Sequence, residues 1–334
     1  MPNPQAQDIA MRVLNPWQHH FPLVARPFAE LAGAAGESMD WVLSQLKQAQ
    51  REGALSRIGG VFAPEAGGAA LLAAMCVPPE RLATVAAQVS AHPGVNHNYE
   101  READYNLWFV MTADGQRSLE AALQAIEQET GLAVLRLRML KSYRIDLGFD
   151  MTQPLALRSA RASHTAPSPI RDKEQPLAAL VEEGLPLVER PFRVWAQTLG
   201  WSEFAVLQTL TDWLAQGTLR RFGMVVRHHE MGFDANAMTV FDVPDHLIDA
   251  YGDRLARHPG VTLAYRRERA SAWPFNLYCM VHGRERGDVL RLIEELTHTC
   301  GLEQMPRQVL FSRRRFKQVG GRRFRPSLSE LRHA

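Results

Sequence analysis

The feature that most constrains this chain is that it repeats itself. Pro22-Leu23-Val24 returns as Pro186-Leu187-Val188, and Arg26-Pro27-Phe28 returns as Arg190-Pro191-Phe192, both at an offset of 164 residues. Between residues 22 and 61 the two copies share 17 identities in 40 positions without a gap. The match resumes at His92-Pro93-Gly94-Val95 against His258-Pro259-Gly260-Val261, offset 166, and at Asn106-Leu107 against Asn276-Leu277, offset 170. The growing offset places small insertions in the second copy. Each copy runs to about 130 residues, the size of a compact folding unit rather than of one turn of a solenoid.

The remaining bulk properties exclude whole classes. The 334 residues carry 46% hydrophobic and 22% charged side chains, ordinary globular usage. A net charge of +2 gives no global basic field for nonspecific nucleic-acid binding. Cys76, Cys279 and Cys300 stand far apart with no CxxC pair, against a disulfide framework, a zinc ribbon or an iron–sulfur cluster. Residues Met1 to His20 lack the apolar segment of a signal peptide. The longest apolar stretch, Ala69 to Val77, is too short to cross a bilayer. A cytoplasmic protein with no membrane partner is expected.

Each copy opens with helical signals. Pro27 suits a first helical turn, Gly36 interrupts, and Ser38 can cap a second helix carrying Val42, Leu43 and Leu46 on one face. Gly53 ends it, and Arg57-Ile58-Gly59-Gly60-Val61 begins an extended segment, so the pattern is helix-turn-helix followed by a wing. The next 90 or so residues alternate as β-α-β-β-α-β, the ferredoxin-like order. The expected fold class is α+β, two tandem copies of helix-turn-helix plus ferredoxin-like βαββαβ domain. The expected bounds are 20–61 and 62–150 for copy one, 183–225 and 226–318 for copy two, a linker at 151–182 and a basic tail at 319–334. The arginine run that begins at Arg313 reads most simply as a solvated tail.

This layout resembles the leucine-responsive/asparagine-regulator (Lrp/AsnC) family. The strand motifs narrow it further. His97-Asn98-Tyr99-Glu100-Arg101-Glu102 with Tyr105-Asn106-Leu107-Trp108-Phe109 resembles one half of the siroheme decarboxylases. Asn236-Ala237-Met238, Trp273-Pro274-Phe275-Asn276-Leu277-Tyr278 and Val281-His282-Gly283 resemble the partner half. The chain is similar to a fused, two-half siroheme decarboxylase of the heme d1 or alternative heme pathway.

The helix that would read DNA argues against the competing regulator function. Ser38 to Glu52 holds Asp40, Lys47, Arg51 and Glu52, summing to zero, while Ser202 to Gln216 holds only Glu203 and Asp212, summing to −2, beside Phe204 and Trp213. Phosphate contacts need cations, so DNA binding is expected to be lost and the helix used for packing. A transcriptional regulator of the Lrp/AsnC type and a tetrapyrrole carrier or sensor are the alternatives to an enzyme.

Candidate site residues follow from strand alternation. Val95, His97, Tyr99 and Arg101 should share one face, and Val261, Leu263, Tyr265 and Arg267 the matching face of copy two. A polar row of this kind serves either as ion pairs across a sheet–sheet interface or as proton donors and a carboxylate clamp. Copy two adds Arg227, His228 and His229 in a glycine-flanked loop; His92 and His258, each before Pro-Gly, read as turn residues.

The resemblance implies siroheme as substrate, an iron tetrapyrrole with eight carboxylates, and didecarboxysiroheme as product after two acetate groups lose carbon dioxide. The iron belongs to the substrate, so no protein-held cofactor is expected. Catalytic candidates are His97 and Tyr99 in copy one and Tyr265 aided by His228 in copy two, with His228 also able to ligate the substrate iron. Substrate-binding candidates are Arg57, Arg101, Arg221, Arg227, His229 and Arg267 for carboxylates, and Asn106, Asn276, Trp108 and Met238 around the macrocycle, with Tyr278 as a further aromatic cover. Free sheet edges would allow a homodimer, and the product would be handed to other heme d1 pathway enzymes.

Overall fold

A computed structural model describes residues 10–145, 167–226 and 235–324. The chain sorts like with like: the described residues up to 67 and 167–226 form one compact unit, and 68–145 with 235–324 form the other. Each repeat therefore contributes its helix-turn-helix to the first unit and its βαββαβ segment to the second.

In the first unit, helices α1 (Pro27–Ala35) and α2 (Met39–Arg51) lead into strand β1 (Leu55–Phe62). Ser38 caps α2 by accepting from the Trp41 amide at 3.2 Å, a cap of about 1 kcal/mol. Gly36 ends α1 with φ +70°, and Gly200 repeats the turn with φ +68°, the left-handed conformation that favours glycine. Copy two supplies α6 (Pro191–Leu199), α7 (Glu203–Ala215) and β6 (Leu219–Val226). The two wing strands pair with each other, antiparallel, with Gly59 opposite Gly223. Phe21, Phe28, Phe192 and Phe222 pack between the modules at ring separations of 5.9–6.2 Å. Trp213 of α7 is buried against Phe62 at 5.7 Å, as expected for a helix used in packing, while Phe204 stays exposed.

The expected linker is shorter than its bounds. Residues Gln175–Glu183 form a helix, α5, with Pro176 in its first turn and Leu177, Ala178 and Val181 buried on one face. Composition hid it, because this amphipathic stretch is only nine residues long.

The second unit is an eight-stranded closed barrel. Copy one gives β2 (Ala69–Met75), α3 (Leu82–Ala91), β3 (Val95–Arg101), β4 (Leu107–Ala113), α4 (Gln116–Thr130) and β5 (Leu135–Ile145). Copy two gives β7 (Ala235–Phe241), α8 (Ile248–Arg257), β8 (Leu263–Arg267), β9 (Leu277–Gly283), α9 (Arg286–Cys300) and β10 (Arg307–Gln318). The strand order is β10-β3-β4-β2-β5-β8-β9-β7, closing on β10. The long last strand of each copy makes the join: β5 leaves β2 for β8, and β10 leaves β7 for β3. Both edges of each ferredoxin-like sheet are thus paired within the chain, which removes the open-edge reason for expecting a homodimer.

Helices cover the outside. Val85, Val89, Phe109 and Leu123 anchor the copy-one layer; Ile248, Leu255, Val281 and Ile293 anchor that of copy two. Inside lies a third cluster, with Trp108, Tyr278, Leu137, Met238 and Leu310 at its centre. Eight strands leave an interior about wide enough for side chains to fill, and aromatic rings fill much of this one. Trp273 stacks edge-on against Trp108 at 5.2 Å and Phe275 at 4.9 Å.

Candidate functional site

The polar row of β3 points into the barrel, with one correction. A bulge between Val95 and His97 breaks the alternation, so Val95 packs under the helices while His97, Tyr99 and Arg101 face inward. Asn98 faces outward, donating to the Ala86 carbonyl and Ser90 of α3. In copy two Val261 likewise belongs to the helix-side core, and Tyr265 packs on the interior cluster.

Along this face the rings of His97 and Tyr99 are 6.1 Å apart, and the Arg101 guanidinium lies 5.7 Å from the Tyr99 ring centre. Arg101 is 7% exposed, and burial lowers its pKa to about 10. Its Nη1 donates to the Leu310 carbonyl at 2.9 Å. Arg267 mirrors it: Nη1 donates to the Leu137 carbonyl at 3.0 Å, the guanidinium stands 5.2 Å from the Tyr265 ring, and burial lowers its pKa. Among the described residues neither guanidinium meets a carboxylate. Nε of buried Arg267 has no hydrogen-bond partner among the described residues, which leaves that guanidinium under-satisfied. Tyr265 is pushed up to about 12 by burial.

Three residues that sequence patterning passed over join this face: His282, Ser312 and Arg315. His282 on β9 is opposite Asn236 on β7 and feels the Arg101 charge; burial and that charge hold its pKa down at about 4, so the imidazole stays neutral. Ser312 on β10 is opposite Arg101 and donates from Oγ to Asn236 Oδ1 at 2.6 Å. Arg315, three residues on, is opposite Tyr99 and donates to Gln318 at 3.2 Å. The expected solvated arginine run is instead part of β10: Arg313 meets Glu102, Arg314 covers Phe316, and Arg315 turns inward. The following segment is bound too, Val319 to the Asn96 carbonyl and the Arg322 amide to Thr112. Strand alternation at 312–315 held the signal, masked by a second bulge between Ser312 and Arg314.

Other candidates fall elsewhere. Asn106 and Asn276 are backbone clamps: Asn106 bonds the Val77 amide and carbonyl at 3.0 and 2.8 Å, and Asn276 the Val243 amide and carbonyl at 3.0 and 2.9 Å. Their amides are spent on the chain itself. Trp108, 1% exposed, and Met238, 5% exposed, are enclosed by protein and leave no face for a macrocycle. Tyr278, equally enclosed, accepts from Trp273 Nε1 at 2.7 Å. Arg57 and Arg221 belong to the first unit, Arg221 donating to the Gln18 carbonyl at 3.0 Å. Arg227, His228 and His229 lie outside the described residues. His92 bonds Glu129, and His258 accepts from the Gly260 amide, both at turns as expected. No described cluster of His, Cys, Asp or Glu could hold a metal ion, and no described helix is long and apolar enough to cross a membrane.

Residues 66–145 and 230–317 match the AsnC-like ligand binding domain, and residues 11–55 and 174–220 match the siroheme decarboxylase NirDL-like HTH domain. The chain is 39% identical to a siroheme decarboxylase NirDL subunit of Paracoccus pantotrophus, over 94% of this chain and 96% of that protein. It is 49% identical to a siroheme decarboxylase NirL subunit of Stutzerimonas stutzeri over 46% of this chain and 91% of the smaller protein. A solved structure of the siroheme decarboxylase NirDL in co-complex with an iron-uroporphyrin III analogue aligns with a TM-score of 0.67 at 27% identity, covering 98% of this chain and 97% of the other.

Proposed function

This chain belongs to the siroheme decarboxylase family, and from that premise we infer how its barrel performs the reaction. It is a carboxy-lyase of heme d1 biosynthesis that converts siroheme to 12,18-didecarboxysiroheme. The iron arrives with the substrate. The reaction needs no oxidant, because the macrocycle accepts the electron pair left when a side-chain carboxyl departs, and one proton completes the new methyl group.

What the protein must add is orientation and a proton. The observation that carries our assignment is the inward row His97, Tyr99, Arg101, whose cation meets no carboxylate among the described residues. The departing carboxylate loses its charge in the transition state, so a tight arginine pair would stabilise the ground state more and slow the step. Arg101 therefore holds a carboxylate that stays, through charge-assisted hydrogen bonds. The leaving carboxyl is held away from the Arg101 guanidinium, and the Tyr99 hydroxyl, with His97 6.1 Å away ring to ring, delivers the proton.

Siroheme and its decarboxylated product are the ligands, and the reaction runs in the cytoplasm. DNA reading is given up: the wing strands β1 and β6 are each other's partners, and Trp213 of the second candidate reading helix is buried. Single-turnover decarboxylation by Tyr99→Phe, set beside its siroheme affinity, tests the assignment. Slow chemistry with retained binding supports it; full-rate chemistry contradicts it.

A further inference from the structure

The antiparallel ladder of the barrel is closed, so a rigid macrocycle cannot enter between strands and must pass one of the two ends. One end is shut by the turns that join β3 to β4 and β8 to β9. There Tyr105 packs on Trp273 at 5.7 Å and Trp273 on Phe275 at 4.9 Å. Arg269 fastens the second turn, donating to Asp242 at 2.8 Å and to Asp245 at 2.7 Å.

The opposite end is crossed by the segment that follows β10. The Val319 amide donates to the Asn96 carbonyl at 2.7 Å, at the start of β3. The Arg322 amide donates to Thr112 Oγ1 at 2.9 Å, at the end of β4. Trp108 and Val110 belong to the interior cluster, so strand alternation puts Thr112 on the inner face as well, where Asn96 Nδ2 donates to it at 3.1 Å. Gly68, just before β2, completes the seat. A Cβ there would stand 2.7 Å from the Cβ of Arg323, and its φ of +67° is a conformation that favours glycine. Phe324, next along, is buried. Residues 319–324 thus run over three strand ends on the inner side of the sheet.

This segment is built to move rather than to stay fixed. It contains Gly320-Gly321, a pair with the backbone freedom a hinge needs. Val319 and Arg322 are exposed, so little burial holds those positions. The segment leaves β10 at Gln318, opposite His97, so lifting it uncovers the end of the inward row. Arg322 and Arg323, with Arg315 on the strand before them, set positive charge at this end, which matches a substrate with eight carboxylates.

We propose that residues 319–324 are a strap that lifts to admit the tetrapyrrole and reseats before carbon dioxide is lost. The proposal rests on the decarboxylase reading above and adds how the substrate reaches its site. Seated, the strap keeps bulk water from His97 and Tyr99, so that the proton comes from the protein. Lifted, it opens the cationic end through which the polyanion is drawn in and the product leaves.

A reversible link tests this in the full-length chain. A Cβ at Gly321 would lie 3.7 Å from Thr112 Cγ2 and 3.8 Å from Thr112 Oγ1, so Gly321→Cys with Thr112→Cys brings two thiols within disulfide reach. Association with siroheme is followed by rapid-mixing absorbance on the oxidised and the reduced variant, per binding-competent molecule, with wild type treated identically. The linked strap should slow association and product release about tenfold or more, and reduction should restore both. Decarboxylation of siroheme loaded before oxidation should stay within about twofold of the reduced protein, since the link leaves the reacting groups alone. Val319→Pro, which removes the amide bonded to Asn96, should speed association and release severalfold. Equal association by the oxidised and reduced variant overturns the proposal, as does Val319→Pro binding at the wild-type rate. Strap-dependent binding of siroheme whose mass never changes would instead overturn the decarboxylase reading, a distinct result.

Discussion

The Arg101 guanidinium reaches across the repeat to the carbonyl of Leu310, 2.9 Å away, and so ties β3 of the first copy to β10 of the second. That bond holds a buried cation which meets no carboxylate among the described residues. Arg101→Ala should therefore weaken siroheme binding by the worth of a charge-assisted contact, about 1.5–3 kcal/mol. Arg101→Lys should restore part of it, since a point charge replaces a planar fork. Absorbance titration checks both; normal affinity in Arg101→Ala contradicts the clamp assignment.

Tyr99 and His97 act on the chemical step. General-acid groups contribute roughly 10²–10⁴-fold to rate. Tyr99→Phe and His97→Ala should lose turnover within that range while siroheme affinity changes little. Rapid-mixing measurement of the first decarboxylation, beside an equilibrium titration, distinguishes this from a binding defect.

His282 makes stability depend on pH. Its pKa falls from 6.5 to about 4, chiefly through burial and then through Arg101. Between those values the unfolded chain binds a proton that the folded chain refuses, so stability rises with pH. The contribution is complete above about pH 6.5 and is lost as pH falls toward 4; it amounts to about 1–3 kcal/mol. His282→Gln should flatten the denaturation midpoint over that window, and a wild-type slope retained in the variant would show that another group is responsible.

Asn106 and Asn276 should behave as structural residues. Asn106→Ala leaves the Val77 amide and carbonyl without their partner, costing about 1–3 kcal/mol of stability. Rate per folded molecule should stay near wild type. Chemical denaturation and activity measured on the same preparation check the pair of expectations.

The internal repeat made the two tandem helix-turn-helix and βαββαβ units legible from the sequence, but not their closure into one barrel, since the uncovered face of each βαββαβ segment could equally take a ligand or a partner sheet. Strand alternation then aimed His97, Tyr99 and Arg101 inward. It failed at Val95 because a bulge adds a residue, and a bulge has no signature in single-sequence periodicity. Asn106 and Asn276 looked like ligand residues because a polar side chain beside an aromatic motif reads the same whether it bonds a substrate or its own backbone. Arg315 and His282 were obscured for a different reason. Each depends on strands brought together from opposite copies, and no local pattern reports the closure of a barrel.

The most direct measurement of the central claim is the mass of siroheme after anaerobic incubation with the full-length protein. The account predicts a product lighter by two carboxyl groups released as carbon dioxide, with no oxidant added. Siroheme recovered at its starting mass, together with a specific operator footprint at physiological ionic strength, would contradict it.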